Sequence, residues 1–294
     1  MEVEIDLNLQ ATALECYDNC HYLFWWKYIF NKNSEVIPEN NAFMENDIWM
    51  IKGKMIHRTI DYFLTEEKDN PAIAEVKLYK IWEEILKNGR YRKSEAVNTW
   101  GINILQAFYK YFFKDKIYEI KTYETEKKVN GIFSYRNLNL DLVGRIDQLN
   151  KSCNNTIDIN DWKAKKKYEK INNRKFLIGY YQLSCYAMLL SPEKIHKLNI
   201  VTLVENEDIY VDSWLYTKET EKNVKALITG IIDKSLDFHR DPEEWQTMEN
   251  THCNRCYLAR NDACPLYGGE YPPKIQIETS KTILEWEKLL TKAS

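Results

Sequence analysis

Two short runs bring together residue types that can act on a phosphate. They are Gly144-Arg145-Ile146-Asp147 and, after a polar turn, Asp161-Trp162-Lys163. Both read as strand ends. Residues two apart on a strand share a face, so Asp161 and Lys163 project together while Trp162 points away. If the strands pair as a hairpin, Asp147 comes close to Asp161. Two carboxylates and an ammonium at one point of a sheet are costly, and a divalent cation accounts for the cost. Carboxylate oxygens are hard ligands for Mg²⁺ or Mn²⁺, and the metal keeps both carboxylates ionised. Lys163 would then position and polarise water or offset charge developing on a phosphate. Taken alone, D-x-K also fits a surface salt bridge on two solvent-facing strands.

Two flanking motifs change that balance. Gly53-x-x-x-His57 lies in a helical stretch, and Gln182-x-x-x-Tyr186 lies on the helix after the Asp161 strand. Positions i and i+4 share one helical face, so the amide and the phenol can reach one target. The order G-x-x-x-H, G-R-I-D, D-W-K, Q-x-x-x-Y resembles the PD-(D/E)XK nuclease superfamily. Specifically, it looks like the RecB-like branch with the AddB nuclease domain and the CRISPR-associated RecB-like exonucleases. The resemblance implies an α/β (α+β), restriction-endonuclease-like core with a mixed central sheet flanked by helices. It implies a metal site from His57, Asp147, Asp161 and the backbone carbonyl of Trp162. Lys163 would be the catalytic lysine, and Gln182 and Tyr186 a fourth motif. Glu126, one strand earlier, would have a supporting role only. Trp162 stands where tyrosine is more usual, and Ala164-Lys165 where threonine-glycine usually ends the strand. Neither removes a ligand. The implied activity is Mg²⁺- or Mn²⁺-dependent DNA hydrolysis, with exonuclease action on single-stranded or end-processed DNA as the leading mode.

Seven cysteines are an odd number for a disulfide framework. Cys253-x-x-Cys256 followed by Cys264 gives three clustered thiols and lacks a fourth for a tetrahedral or cubane site. Thr12-x-Leu14-x-x-Tyr17-x-x-Cys20 supplies a candidate far upstream. It resembles the early half of the split cysteine motif in iron–sulfur members of the same branch. Cys20, Cys253, Cys256 and Cys264 would then hold a [4Fe–4S] cluster that staples the first helix to the C-terminal segment. Structural Zn²⁺ is the alternative, and spacing does not separate the two. Cys16, Cys153 and Cys185 read as ordinary cysteines.

The elements that must position these groups follow from periodicity. Helical spacing covers 12–30, Asp47 to Leu64, Pro71 to about Asn88, and Ser94 (as N-cap) to about Lys116. The 70–116 stretch reads as a helical insert. Strands follow, with Asn130-Gly131 expected to form the turn of a hairpin. A helix from Phe176 to Leu190, strands at 197–206 and 208–216, and a helix from Lys218 to His239 come next. The cysteine region 250–267 (with 12–30) and a tail, 268–294, with an amphipathic last helix through Trp286 complete a single expected nuclease domain over 1–294.

Composition bounds the rest. With 41 Lys+Arg against 44 Asp+Glu, the net charge of −3 excludes a polybasic binder, and 44% hydrophobic residues with 9 Gly and 7 Pro exclude a disordered chain. The acidic start and the lack of a long apolar run predict a cytoplasmic protein without membrane association. Residues 163–175 contain seven basic side chains and one acidic, a phosphate track leaving the presumed site. DNA, as a single strand or a duplex end, is therefore the expected partner. With no G-x-x-x-x-G-K-[ST] loop, helicase activity would come from a partner in a helicase–nuclease or CRISPR adaptation complex, where the chain could also serve as an end-binding subunit.

Overall fold

The computed structural model describes residues 9–10, 13–14, 16–17, 20–26, 44–66, 71–88, 94–114, 122–136, 138–151, 155–168, 173–190, 194–205, 208–238, 242–245, 247, 249, 253, 256–260 and 264–269. The expected loop at 31–41, Cys153 and the last helix through Trp286 lie outside these residues.

In chain order the elements are β1 (Leu9–Gln10), α1 (His21–Phe24), α2 (Met44–Glu66), α3 (Pro71–Asn88), α4 (Glu95–Lys114), β2 (Thr122–Tyr135), β3 (Leu138–Lys151), β4 (Ile157–Lys165), α5 (Asn173–Leu189), β5 (Ile195–Val204), β6 (Ile209–Leu215), α6 (Lys218–Phe238) and α7 (Tyr257–Arg260). The sheet has six strands in the order β1-β3-β4-β5-β6, with β2 also paired to β3. Pairing is parallel for β1/β3 and β4/β5, and antiparallel for β3/β4 and β5/β6. The expected mixed sheet with flanking helices is thus present. No described helix is long and apolar enough to cross a membrane.

The hairpin is not where Asn130-Gly131 suggests. β2 runs straight through that dipeptide to Tyr135, and the chain turns at Arg136, which adopts φ 48. Alternation explains the difference: Val129 is buried between exposed Lys128 and Asn130, and Ile132 and Ser134 continue the exposed set. A local turn propensity yields to an uninterrupted two-residue period.

Packing divides the chain into two compact units, one of residues 1–42, 130–144 and 222–294, the other of residues 43–129 and 145–221. In the first, Leu9 and Gln10 pair with Leu142 and Val143. Phe24 stacks on Trp245 at 5.9 Å, and α6 contributes buried Val224, Ile228, Ile231 and Ile232. The hairpin end is fixed to α6 by Asp233, which accepts a 2.9 Å hydrogen bond from Tyr135 and pairs with Arg136 at 3.2 Å.

In the second unit, α2, α3 and α4 form a helical layer against one sheet face. Ile56, Ile60 and Phe63 of α2 recur at helical spacing and are fully buried. Phe63 meets Phe108 and Phe112 of α4 edge-on at 5.8 and 5.5 Å. Ser94 caps α4 as expected, with its Oγ accepting the Val97 N–H at 3.4 Å. α3 and α4 approach closely because position 101 has no side chain: a Cβ at Gly101 would run into the Trp82 ring. That indole cannot retreat freely, since its N–H donates to Asn98 Oδ1 at 2.9 Å. Gly101→Ala is therefore expected to destabilise the fold by about 1–3 kcal/mol, read as a lower denaturant midpoint at unchanged m-value.

A polar ladder sets the strand register. Asn160 Nδ2 donates to Gln148 Oε1 (3.0 Å), Asn199 Nδ2 to Asn160 Oδ1 (2.7 Å), and Ser213 Oγ to Asn199 Oδ1 (2.6 Å). Each residue lies directly across from the next on β3, β4, β5 and β6. A one-residue slip would break all three bonds and send Asp161 and Lys163 to the wrong face.

Candidate active site

β4 carries two functions on alternate faces. Trp162, nearly inaccessible, packs into the helical layer, 5.3 Å from the Phe108 ring and 6.0 Å from Tyr111. Asp161 and Lys163 take the other direction and pair with each other, Nζ to Oδ2 at 2.8 Å. On the neighbouring strand, Asp147 Oδ2 accepts the Trp162 backbone N–H at 2.8 Å. Asp147 Oδ1 faces His57 Nδ1 of α2 at 3.4 Å. The same helix thus buries Ile56 and Ile60 in the core and delivers His57 to the carboxylates.

Glu126 enters from β2. It sits at φ 48, a left-handed conformation rare for a side-chain-bearing residue in a strand. Its Oε2 accepts from Arg145 at 3.2 Å. Ligand atoms of His57, Glu126 and Asp147 all lie within 4.8 Å of one another, the one such group of three among the described residues. Sequence reasoning placed Asp161 with His57 and Asp147 and gave Glu126 a supporting place. In the structure Asp161 pairs with Lys163 and senses the Asp147 charge, while Glu126 lies in the tight group with His57 and Asp147. Only the resemblance pointed to Glu126; locally it is one of several charged residues in the Glu124–Lys128 stretch of β2. One nitrogen and two carboxylates at this spacing suit a hard divalent cation.

On α5, Gln182 Nε2 donates to the Tyr186 hydroxyl at 2.9 Å. That hydroxyl also hydrogen-bonds the Arg145 backbone, and it is close enough to Asp161 and Asp147 to feel their charge. Burial first, and those carboxylates second, push its pKa up. The i,i+4 pair thus lies within electrostatic range of the two aspartates.

The electrostatics are those of groups sharing a confined space. Burial raises Asp161, the Asp147 charge adds to this, and Lys163 opposes it; the net is upward. Burial also works to raise Asp147, but His57, Lys163 and the Trp162 N–H outweigh it and hold its pKa below the usual carboxylate range. For His57, burial pulls downward, and the Asp147 hydrogen bond and charge outweigh it, so the net is upward. A raised value means that the imidazolium persists to higher pH than in free histidine, whereas a cation needs the neutral ring. Metal affinity should therefore climb as pH rises through the elevated His57 pKa, with a proton released below it. Calorimetry with Mn²⁺ in buffers of different ionisation enthalpy reads both effects.

The sequence model of the PD-(D/E)XK nuclease superfamily matches residues 8–265, most of the chain and every residue of this site. The chain belongs to the PD-(D/E)XK nuclease superfamily. Two solved structures are similar to this superfamily member. A candidate exonuclease from Eubacterium rectale is 11% identical, with 87% of this chain and 88% of that one covered at a TM-score of 0.48. The protein SSO0001 is 15% identical, with 83% of this chain and 95% of that one covered at a TM-score of 0.37. No curated protein matches the sequence.

Five of the seven cysteines of this PD-(D/E)XK chain, Cys16, Cys20, Cys253, Cys256 and Cys264, belong to the first unit. Cys20 is the N-cap of α1 and its N–H bonds the Cys16 carbonyl at 3.0 Å. Cys256 N–H closes a turn on the Cys253 carbonyl at 3.1 Å, and the Cys264 carbonyl accepts from Tyr267 and Gly269 at 2.9 and 3.0 Å. Burial raises the Cys264 pKa, a backbone hydrogen bond from Leu266 opposes it, and Cys256, Cys20 and Cys253 add to the rise; the net is upward. No three of these thiols lie within 4.8 Å of one another, so they form no tight metal-ligand group. The buried Nδ1 of His21, next to Cys20, has no hydrogen-bond partner. Cys185 belongs to the second unit and is buried on α5, with its pKa pushed up to about 12 by desolvation, as befits an unreactive thiol.

Proposed function

We propose that the protein is a Mg²⁺- or Mn²⁺-dependent deoxyribonuclease of the RecB-like branch, acting as an exonuclease on single-stranded or end-processed DNA. One observation carries the reading: α2, β2, β3 and β4 deliver His57, Glu126, Asp147 and the Asp161–Lys163 pair to one point. Nothing in the packing of a sheet requires that concentration of charge.

When bound, the cation supplies Lewis-acid charge and lowers the pKa of water in its shell. His57, Asp147, Asp161 and the Trp162 backbone carbonyl would hold it, with Glu126 beside His57 and Asp147. The Trp162 N–H fixes the Asp147 carboxylate so that its other oxygen stays turned to His57. Lys163 orients the attacking water and offsets charge on the phosphate oxygens. Gln182 and Tyr186 hold a hydrogen-bonding edge beside Asp161 for the phosphate or for ordered water.

The proposal includes a [4Fe–4S] cluster on Cys20, Cys253, Cys256 and Cys264, four thiolate donors of the type such a core takes. The support is the split cysteine pattern and the charges of Cys20, Cys253 and Cys256 felt by Cys264; structural Zn²⁺ on the same four thiols is the alternative. The cluster's role is structural, as a staple between distant chain segments.

The test uses protein purified without oxygen and end-labelled linear and circular DNA, single- and double-stranded, with Mg²⁺ or Mn²⁺. Linear single strands should be degraded from an end and circles spared. Cleaved circles would sink the exonuclease reading, and intact linear DNA under all conditions the nuclease reading. A colourless protein with one zinc per chain would remove the cluster.

A further inference from the structure

The structure assigns a second nucleic-acid contact on the Lys163 face of the sheet. We propose that Tyr210 and Tyr168 form a base-stacking platform for a single strand whose phosphates are followed by Lys166 and Lys167. The proposal rests on the nuclease reading for the direction of the strand and adds the surface that grips it.

The register places the platform. Lys163 pairs with Thr202 across β4/β5, and Thr202 with Tyr210 across β5/β6. Residues directly opposite in a sheet share a face, so Tyr210 stands on the side of Asp161 and Lys163, about 10 Å away across two strand spacings. β6 is the last strand of the path, so this point is at a sheet edge. Tyr168 lies flat on Tyr210, with ring centroids 3.7 Å apart and planes inclined by 8°. Its hydroxyl is fixed by a 3.2 Å hydrogen bond to Asp212 Oδ1. Asp212 is itself across from Ile200 and hence from Asp161. Tyr210 remains 36% accessible despite this stacking.

Between the catalytic strand and Tyr168 the chain passes through Lys166 and Lys167, both exposed. One short path thus runs from Lys163 through two cations to an ordered pair of parallel rings. Cations alone would suit any polyanion. An aromatic stack beside them suits a strand whose bases are unpaired, because only those can reach a π-face. Paired bases are already stacked on one another, so the platform favours single strands over duplex.

The test is anisotropy of a labelled oligothymidylate on full-length protein in EDTA, where no cleavage occurs. Tyr210→Leu, β-compatible but without a π-face, should bind about 10- to 100-fold more weakly. Tyr168→Phe, which keeps the ring and loses the Asp212 bond, should bind nearly as wild type. On an abasic oligonucleotide of equal length, wild type and Tyr210→Leu should bind alike, which a merely structural role would not produce. Lys166→Ala combined with Lys167→Ala should reduce the slope of log K against log salt by about 1.4. If Tyr210→Leu melts early, Tyr210→Trp stands in for it and should bind the thymidylate at least as tightly as wild type. Wild-type affinity in a well-folded Tyr210→Leu, or an equal loss on abasic DNA, overturns the platform. Because binding is read without metal, a protein that grips the strand this way but never cuts it would fault the nuclease reading and support the platform.

Discussion

Lys163→Ala should lower kcat for DNA hydrolysis by about two to three orders of magnitude while leaving the melting temperature close to that of wild type. The magnitude is that of removing one preorganised charge from a developing oxyanion. Stability should be spared because Lys163 projects away from the helical layer that anchors Trp162. Its removal frees Asp161 from a 2.8 Å ion pair, so the Asp161 pKa, already raised by burial, should rise further. The variant should consequently need higher pH to bind Mn²⁺, a second effect separable from the first by assaying at saturating metal. A Lys163→Ala protein as active as wild type would dismiss the site as read here. So would equal losses in Lys163→Ala and in a control at exposed Lys218.

The second large effect concerns the thiols. Cys256→Ser or Cys264→Ser should abolish the brown colour of anaerobically purified protein and prevent the first unit from reaching its folded state. Structural metal sites contribute folding free energy outright, of order 10 kcal/mol for zinc, comparable with the whole net stability of a domain, ~5–15 kcal/mol. The unit gathers three separate chain segments, so losing a cross-link between its ends also restores a long loop to the unfolded state. Cys185→Ser is the matched control: buried on α5 and part of the other unit, it should keep the colour. Retained colour and a native melt in Cys264→Ser would remove the cluster from the account.

Much of the helical layer is legible in the sequence because its signals are local. Ser94 announces the start of α4, Pro71 the start of α3, and the spacing of Ile56, Ile60 and Phe63 gives the buried stripe of α2. The D-x-K face is legible too, because alternation on a strand needs no knowledge of its neighbours. The illegible parts depend on partners remote in sequence. Asn130-Gly131 is a strong turn dipeptide, yet β2 passes through it, since alternation and pairing on β3 outweigh a two-residue preference. The real turn uses Arg136, which carries no glycine to signal it. Glu126 looks like any charged strand residue until β2 is laid beside β3 and α2. The amide ladder from Gln148 to Ser213 is equally hidden, because each member lies on a different strand.

The interleaving of the two units has a consequence for the nascent chain. Every segment of the unit holding His57, Asp147 and Lys163 has been translated by Glu221, whereas its companion waits for Cys264. The interval is about 40 residues, a few seconds of synthesis at ~5–20 residues per second. On the ribosome the unit that carries the carboxylates and Lys163 has its whole sequence first, so the pocket can condense before the C-terminal cysteines have emerged.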